Sequence, residues 1–239
     1  LIFKIFSSFG QTDNYGTEFW AGFMSNLGSG SELRLFIAAK DTTSVTISVP
    51  LKGWSQKLTV FKDSVKIITI PNSVGQILNF DSVQNNGIHI LSDYPVAVTA
   101  MNLRAATTDA SLIFPLKNIP INALYTTGHP SKVANYAGNE FLVVSADSGA
   151  LIEIIPTAAT AGGKPAFTPF NITLNKGEVY LVTANKGNIL DGSTVRCYNN
   201  KRIMVYTGDK CSAFPCGACD HQYEQVFSNQ LLDTAYYVL

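Results

Sequence analysis

The chain has 239 residues, 46% of them hydrophobic and 14% charged, and its 17 basic and 17 acidic side chains give a formal net charge of zero. That balance argues against a nucleic-acid binder, which carries a basic face, and the apolar content argues against a disordered chain. The length suffices for one large domain or two small ones with a substantial core, and no run after the opening residues is long enough for a transmembrane helix, so membrane insertion is not expected.

The opening LIFKIFSSFGQ reads as the tail of a signal peptide. Residues 1–6 are mostly apolar, and Ser8 and Gly10 place small residues at −3 and −1 of a cut after Gly10. The folded part begins at GTEFWAGF (16–23), an aromatic strand. A glycine-rich turn over 26–31 leads to a strand at 33–39, and Asp41-Thr-Thr turns the chain into Val45, Ile47 and Val49, which alternate with Thr46 and Ser48. That period of two marks a half-buried strand, stopped by Pro50. Strands follow at 57–61 and 66–70, a polar loop at 72–86, a short strand at 87–91, a turn at Asp93-Tyr94-Pro95, an apolar central strand at 96–101 and a further strand at 111–114.

The pattern then restarts. FLVVSADSGALIEIIP (141–156) lines up with LFIAAKDTTSVTISVP (35–50), with Asp147 under Asp41 and Pro156 under Pro50. GNEF at 138–141 also resembles GTEF at 16–19. Phe170 to Leu174 and Val179 to Thr183 read as two strands with a hairpin turn at Asn175-Lys-Gly177, and 201–207 matches 95–101. The expected fold is all-β, two pseudo-repeated antiparallel sandwich-like units with few or no helices. The expected division is a signal remnant at 1–10, a first unit with its connecting loop at 11–137, and a second unit at 138–239 that continues into a longer chain, Ala235 to Leu239 starting another strand.

The unusual residues concentrate in KRIMVYTGDKCSAFPCGACDHQYEQ (201–225), where Cys211, Cys216 and Cys219 precede Asp220, His221 and Glu224; Cys197 lies one strand upstream. Four cysteines allow three pairings. One bridge inside 211–219 and one from Cys197 to that loop are expected in an exported chain. The alternative is zinc on Cys216-x-x-Cys219 with Cys211, Cys197 and His221 near. His221 beside Asp220 and Glu224 has the composition of a general base, but no nucleophile elbow, P-loop or HExxH motif accompanies it, so a buttressing role is expected. Asp109 and Asp220 recur at matched positions, as do Asp41 and Asp147, and read as turn caps rather than calcium ligands. His89 and His129 stand isolated, Trp20 and Trp54 read as core, and Asn171-Ile-Thr173 is a glycosylation sequon. No cofactor is implied.

Taken together, GTEFWAGF, YPVAVTAMN with TTDASLIFP, NEFLVVSAD, GGKPAFTPFNITLNKGEVY and TGDKCSAFP with CDHQYEQ resemble the N-terminal domain of the IgG Fc-binding protein family. The resemblance implies a secreted or cell-surface, non-enzymatic binding or adhesion module. Its partners would be an extracellular protein or glycan and the neighbouring domains of one longer chain. It also implies a Cys211–Cys219 bridge, leaving Cys197 and Cys216 to pair by exclusion.

Overall fold

The computed structural model describes residues 13–28, 30–128, 132–133, 138–213 and 217–232, the pair 132–133 by backbone alone. The signal-like opening, His129, Cys216 and the strand expected at 235–239 lie outside the described residues.

The described chain is almost entirely antiparallel β. Its first half holds β1 (Gly16–Ala21), β2 (Glu32–Ala39), β3 (Thr43–Val49), β4 (Trp54–Val60), β5 (Ser64–Ile70), β6 (Val83–Gln84), β7 (Ile88–Leu103), β8 (Asp109–Ile113) and β9 (Leu124–Thr126). Its second half holds β10 (Lys132–Val133), β11 (Asn139–Ser145), β12 (Ala150–Ile155), β13 (Phe170–Leu174), β14 (Val179–Thr183), β15 (Thr194–Tyr198), β16 (Ile203–Ala213) and β17 (Cys219–Gln225). One helical turn, Asn72–Gly75, falls in the stretch expected to be loop.

Three sheets result. Sheet I runs β4-β3-β7-β2-β5, with β1 and β8 also on β7; sheet II runs β10-β16-β11-β14-β6, with β17 on β16; sheet III runs β13-β12-β15-β9. Sheet II is the middle layer. Leu142, Val144, Leu181, Met204 and Tyr206 point into one core with sheet I, and Phe141, Val143, Tyr180, Val182, Ile203 and Val205 point into a second core with sheet III. β11 and β14 are therefore buried at every position. This is why their sequences are nearly continuous apolar runs, whereas β3, with one face outward, alternates.

One pairing scheme recurs in both halves. β2 lies between β5 and β7, and β11 between β14 and β16. β3 lies between β4 and β7, and β12 between β13 and β15. β1 and β8 pair with β7 as β9 and β17 pair with β15 and β16. The counterpart of β1 is thus β9, a strand the sequence did not disclose, so the likeness of GTEF to GNEF aligns strands with different places in the fold. β9 also falls on the first-unit side of the expected boundary at 137 while pairing into the second set of strands.

The halves differ where β7 meets its counterpart. Residues 93–95, expected to be a turn, lie inside the 16-residue β7. There β1 skips register between Gly16, opposite Val96, and Glu18, opposite Leu91, so the strand turns a corner without ending. In the second half Asn199 and Asn200 both adopt positive φ, 62° and 57°, a conformation asparagine tolerates better than most residues. That turn cuts the equivalent strand into β15 and β16 and divides one sheet into two. The expected hairpin at Asn175-Lys-Gly177 is instead a crossing between layers, because β13 pairs with β12 in sheet III and β14 with β11 in sheet II.

Candidate functional site

The cysteine-rich stretch forms the β16–β17 hairpin. Cys211 and Cys219 are joined by a disulfide across its open end, with Cα atoms 5.1 Å apart, within the usual span for such a bridge. Their sulfurs are therefore unavailable as zinc thiolates. Cys197 is a free, buried thiol in the second core, its backbone N–H bonded to the Ala123 carbonyl. The bridge expected for it by exclusion is not formed. Burial pushes its thiol up to about 11.

His221 is 1% exposed. Its Nδ1 lies 2.8 Å from the Asp209 carbonyl oxygen, which can only accept, so Nδ1 carries the proton, and Nε2 is buried with no hydrogen-bond partner among the described residues. Burial pushes its pKa down to about 4, so the ring is neutral at physiological pH. Strand alternation along β17 puts Asp220 and Glu224 on the opposite face. The three residues therefore do not assemble as an acid–base group. Trp20 is buried and stacks on His89 with centroids 4.2 Å apart, while His89 Nε2 lies 2.9 Å from Glu18 Oε1. Trp54 packs against the first core.

Asp109 and Asp220 act as reciprocal cross-links. β8 of sheet I and β17 of sheet II run side by side, and no backbone ladder joins them among the described residues. The Asp109 carboxylate accepts the N–H of Tyr223 at 2.8 Å; the Asp220 carboxylate accepts the N–H of Thr108 at 2.7 Å. Gln225 N–H donates to Ser111 Oγ and Phe114 N–H donates to Gln225 Oε1, both at 2.8 Å. Side chains thereby satisfy backbone donors that would otherwise be buried unpaired. Nearby, Tyr206 and Tyr223 stack 5.4 Å apart and donate their hydroxyls to the carbonyls of Trp20 and Gly22, tying the second half to the GTEFWAGF strand. Gly208 has no Cβ because the Gln222 carbonyl and Met24 occupy that space. Asp147 closes another junction, accepting Arg202 N–H at 2.9 Å and pairing with its guanidinium at 3.2 Å.

Glu140, not singled out by the sequence, is completely buried on the sheet I side of β11, with Lys210 Nζ 3.8 Å away and Thr183 donating its hydroxyl to Oε2 at 3.4 Å. Burial pushes its carboxyl up to about 8. Among the described residues no group of three or more His, Cys, Asp or Glu side chains is placed to hold a metal ion.

The open chemistry lies elsewhere, on the outer face of sheet III. A groove of about 420 Å³ runs there between β12 and β13, with Tyr198 of β15 as one wall. The registers set Thr173, Leu151 and Tyr198 in one row and Asn171, Glu153 and Arg196 in the next. Tyr198 donates its hydroxyl to Glu153 Oε1 at 3.1 Å, and the Arg196 guanidinium lies 5.1 Å from the Tyr198 ring centroid. Sequence reasoning found only Asn171, as a sequon. The signal for the rest was the outward set of alternate positions in LIEII and TVRCY. Two smaller or less polar grooves lie beside Glu18 and Lys117 and beside Glu224 and Phe227, and His221 lines none of the three.

These features define a layered all-β domain whose two sets of strands are locked together by side chains of β8 and β17. The chain belongs to the IgGFc binding protein family, whose model matches residues 109–239, beginning at the first residue of β8. It is 26% identical over 229 residues to the human IgGFc-binding protein, covering 92% of this chain and 4% of the length of that protein. A hazelnut (Corylus avellana) vicilin structure overlaps 80% of this chain and 69% of its own at 9% identity, but with a TM-score of 0.26 it carries no argument about the fold. No helix among the described residues is long and apolar enough to cross a membrane.

Proposed function

We propose that this chain is a secreted or cell-surface binding module of duplicated design, part of a longer protein, which recognises an extracellular partner without chemical turnover. The observation that carries this reading is how its reactive-looking residues are used. His221 is buried away from the grooves, and Asp109 and Asp220 are occupied by backbone N–H groups. The outer face of sheet III, in contrast, leaves an aromatic, an arginine and several polar side chains open to solvent. Family membership supports the same reading, and the human relative's name supplies IgG Fc as one probe. The recurring strand scheme supports two copies of one unit with a junction between β8 and β9.

The test is capture on arrays of extracellular proteins, IgG Fc included, and of glycans, comparing the chain with its Arg196→Ala, Tyr198→Ala double variant. The reading expects at least one partner, retained by the parent chain and lost by the variant. Capture of nothing on either array overturns it, as does turnover of a hydrolase substrate that is abolished by His221→Ala.

A further inference from the structure

We propose that the groove on the outer face of sheet III is a saccharide site, binding a neutral glycan with one pyranose ring seated against Leu151 and Tyr198. The proposal rests on the reading of this chain as a binding module and names the ligand class for its open face. A sugar ring is amphipathic. Its C–H face needs an apolar platform, and its hydroxyls each need both donors and acceptors. Leu151, 47% exposed, and Tyr198, 38% exposed, are large apolar side chains adjacent in one cross-strand row, close enough to form one platform. Asn171 and Thr173 flank it from the edge strand β13, and Glu153 sits in the next row. An amide offers two donors and an acceptor, a hydroxyl offers both, and a carboxylate accepts twice, which matches a ring of hydroxyls better than it matches a hydrocarbon.

The charges point to a neutral ligand. Among the described residues that line the groove Glu153 is the one acidic or basic side chain, and Arg196, its cross-strand neighbour, offsets it from the rim. No surplus of positive charge remains for a phosphate, sulfate or carboxylate. The platform is also held before any ligand arrives, because Tyr198 is pinned at its hydroxyl by Glu153 and at its face by Arg196. Pre-organised side chains lose less freedom on binding. An extended peptide is the poorer fit. Strand addition uses the main-chain groups of a sheet edge, and this groove lies across side chains on the sheet face. Its volume of about 420 Å³ is within the range of small-ligand sites, and its border on the edge strand leaves a side exit for the rest of an oligosaccharide.

The experiment is saturation-transfer NMR and competition binding with neutral hexose and N-acetylhexosamine oligosaccharides, run beside the protein array described above. Saturation transfer to ring C–H protons is expected. Tyr198→Ala should weaken binding about tenfold or more, as loss of an aromatic anchor does, Tyr198→Phe less, and Thr173→Val measurably. Melting curves identify any variant that has lost its fold, and Thr173→Val, at an exposed strand position and compared in protein made without N-glycosylation because Thr173 belongs to the Asn171 sequon, provides a readout if Tyr198→Ala does not fold. Saccharide binding unaffected by both Tyr198→Ala and Thr173→Val overturns the site. Absence of saccharide binding, together with a protein partner whose capture needs Tyr198, overturns the glycan assignment while leaving the binding-module reading intact. Absence of both overturns the two together.

Discussion

Glu140 gives the sharpest physical test of the fold. Its carboxyl is fully buried and burial pushes its pKa from an ordinary 4.5 up to about 8. Between those two values the folded chain holds a proton that the unfolded chain has released. Stability contributed by that proton is present below pH 4.5 and is lost as pH rises to about 8. At 1.36 kcal/mol per pH unit the ceiling is roughly 5 kcal/mol, and relaxation around a buried charge, with Lys210 Nζ at 3.8 Å, brings the expected loss down to about 2–3 kcal/mol. Glu140→Gln keeps the shape and removes the titration. Urea unfolding should show the variant gaining about 2 kcal/mol on the parent between pH 5 and pH 9, by a rise in midpoint at constant slope. Glu224, raised to about 7, and Asp109 and Asp191, also raised mainly by burial, slope the same way in both proteins and cancel in the difference, whereas the charge of Asp209 bears on Glu140 itself, and losing their repulsion at high pH adds to the gain of the variant. His221, lowered to about 4, acts with the opposite sign, its contribution lost as pH falls from 6.5 toward 4, and it too cancels. Parallel curves for parent and variant from pH 5 to pH 9 would refute the buried, protonated Glu140.

Two further perturbations bear on the cross-links. Reducing the Cys211–Cys219 bridge, or replacing both cysteines by serine, should cost about 2–3 kcal/mol for so short a loop, read as a lowered melting temperature; an unchanged melting temperature in reductant would show that the bridge does not constrain the hairpin. Asp109→Ala and Asp220→Ala should each cost about 1–3 kcal/mol by stranding a backbone N–H at the β8–β17 junction, and a double-mutant cycle should give coupling of about 0.5 kcal/mol or more because both hold the same pair of strands. Strict additivity would mean that the two carboxylates do not act on one seam.

The fold class was legible because period-two strands leave a strong local signal. Val45, Ile47 and Val49 face one core from β3, and the sequence located that strand by alternation alone. β11 and β16 were legible through the repeat, 141–156 lining up with 35–50 and 201–207 with 95–101, and their apolar stretches have a layer on each side. Layer membership was not legible. Asn175-Lys-Gly177 has the local chemistry of a hairpin turn, yet the strands it joins belong to different sheets, and only the partners they meet from distant sequence decide that. β9 has three residues, too few for a period to show. The disulfide between Cys211 and Cys219 was legible through the family's pattern, whereas Cys197, assigned a partner by elimination, is a free thiol buried in the second core.

The sequence also drew attention to the wrong chemistry, and the architecture explains why. Two sheets that meet edge to edge without a shared ladder leave strand N–H groups pointing at one another's side chains. Carboxylate, hydroxyl and amide oxygens are the groups that can accept those donors at 2.7–2.8 Å, and Asp109, Ser111, Asp220 and Gln225 do so. A seam of this kind concentrates the residue types that in a cleft would signal catalysis, next to a histidine that is neutral because it is buried. A recognition face needs no such concentration. Leu151, Glu153, Asn171, Thr173, Arg196 and Tyr198 come from three strands, and none is unusual for the outward side of a sheet. They become a group only when β12 pairs with β13 on one side and β15 on the other, so their meaning resides in the pairing and not in any stretch of the chain.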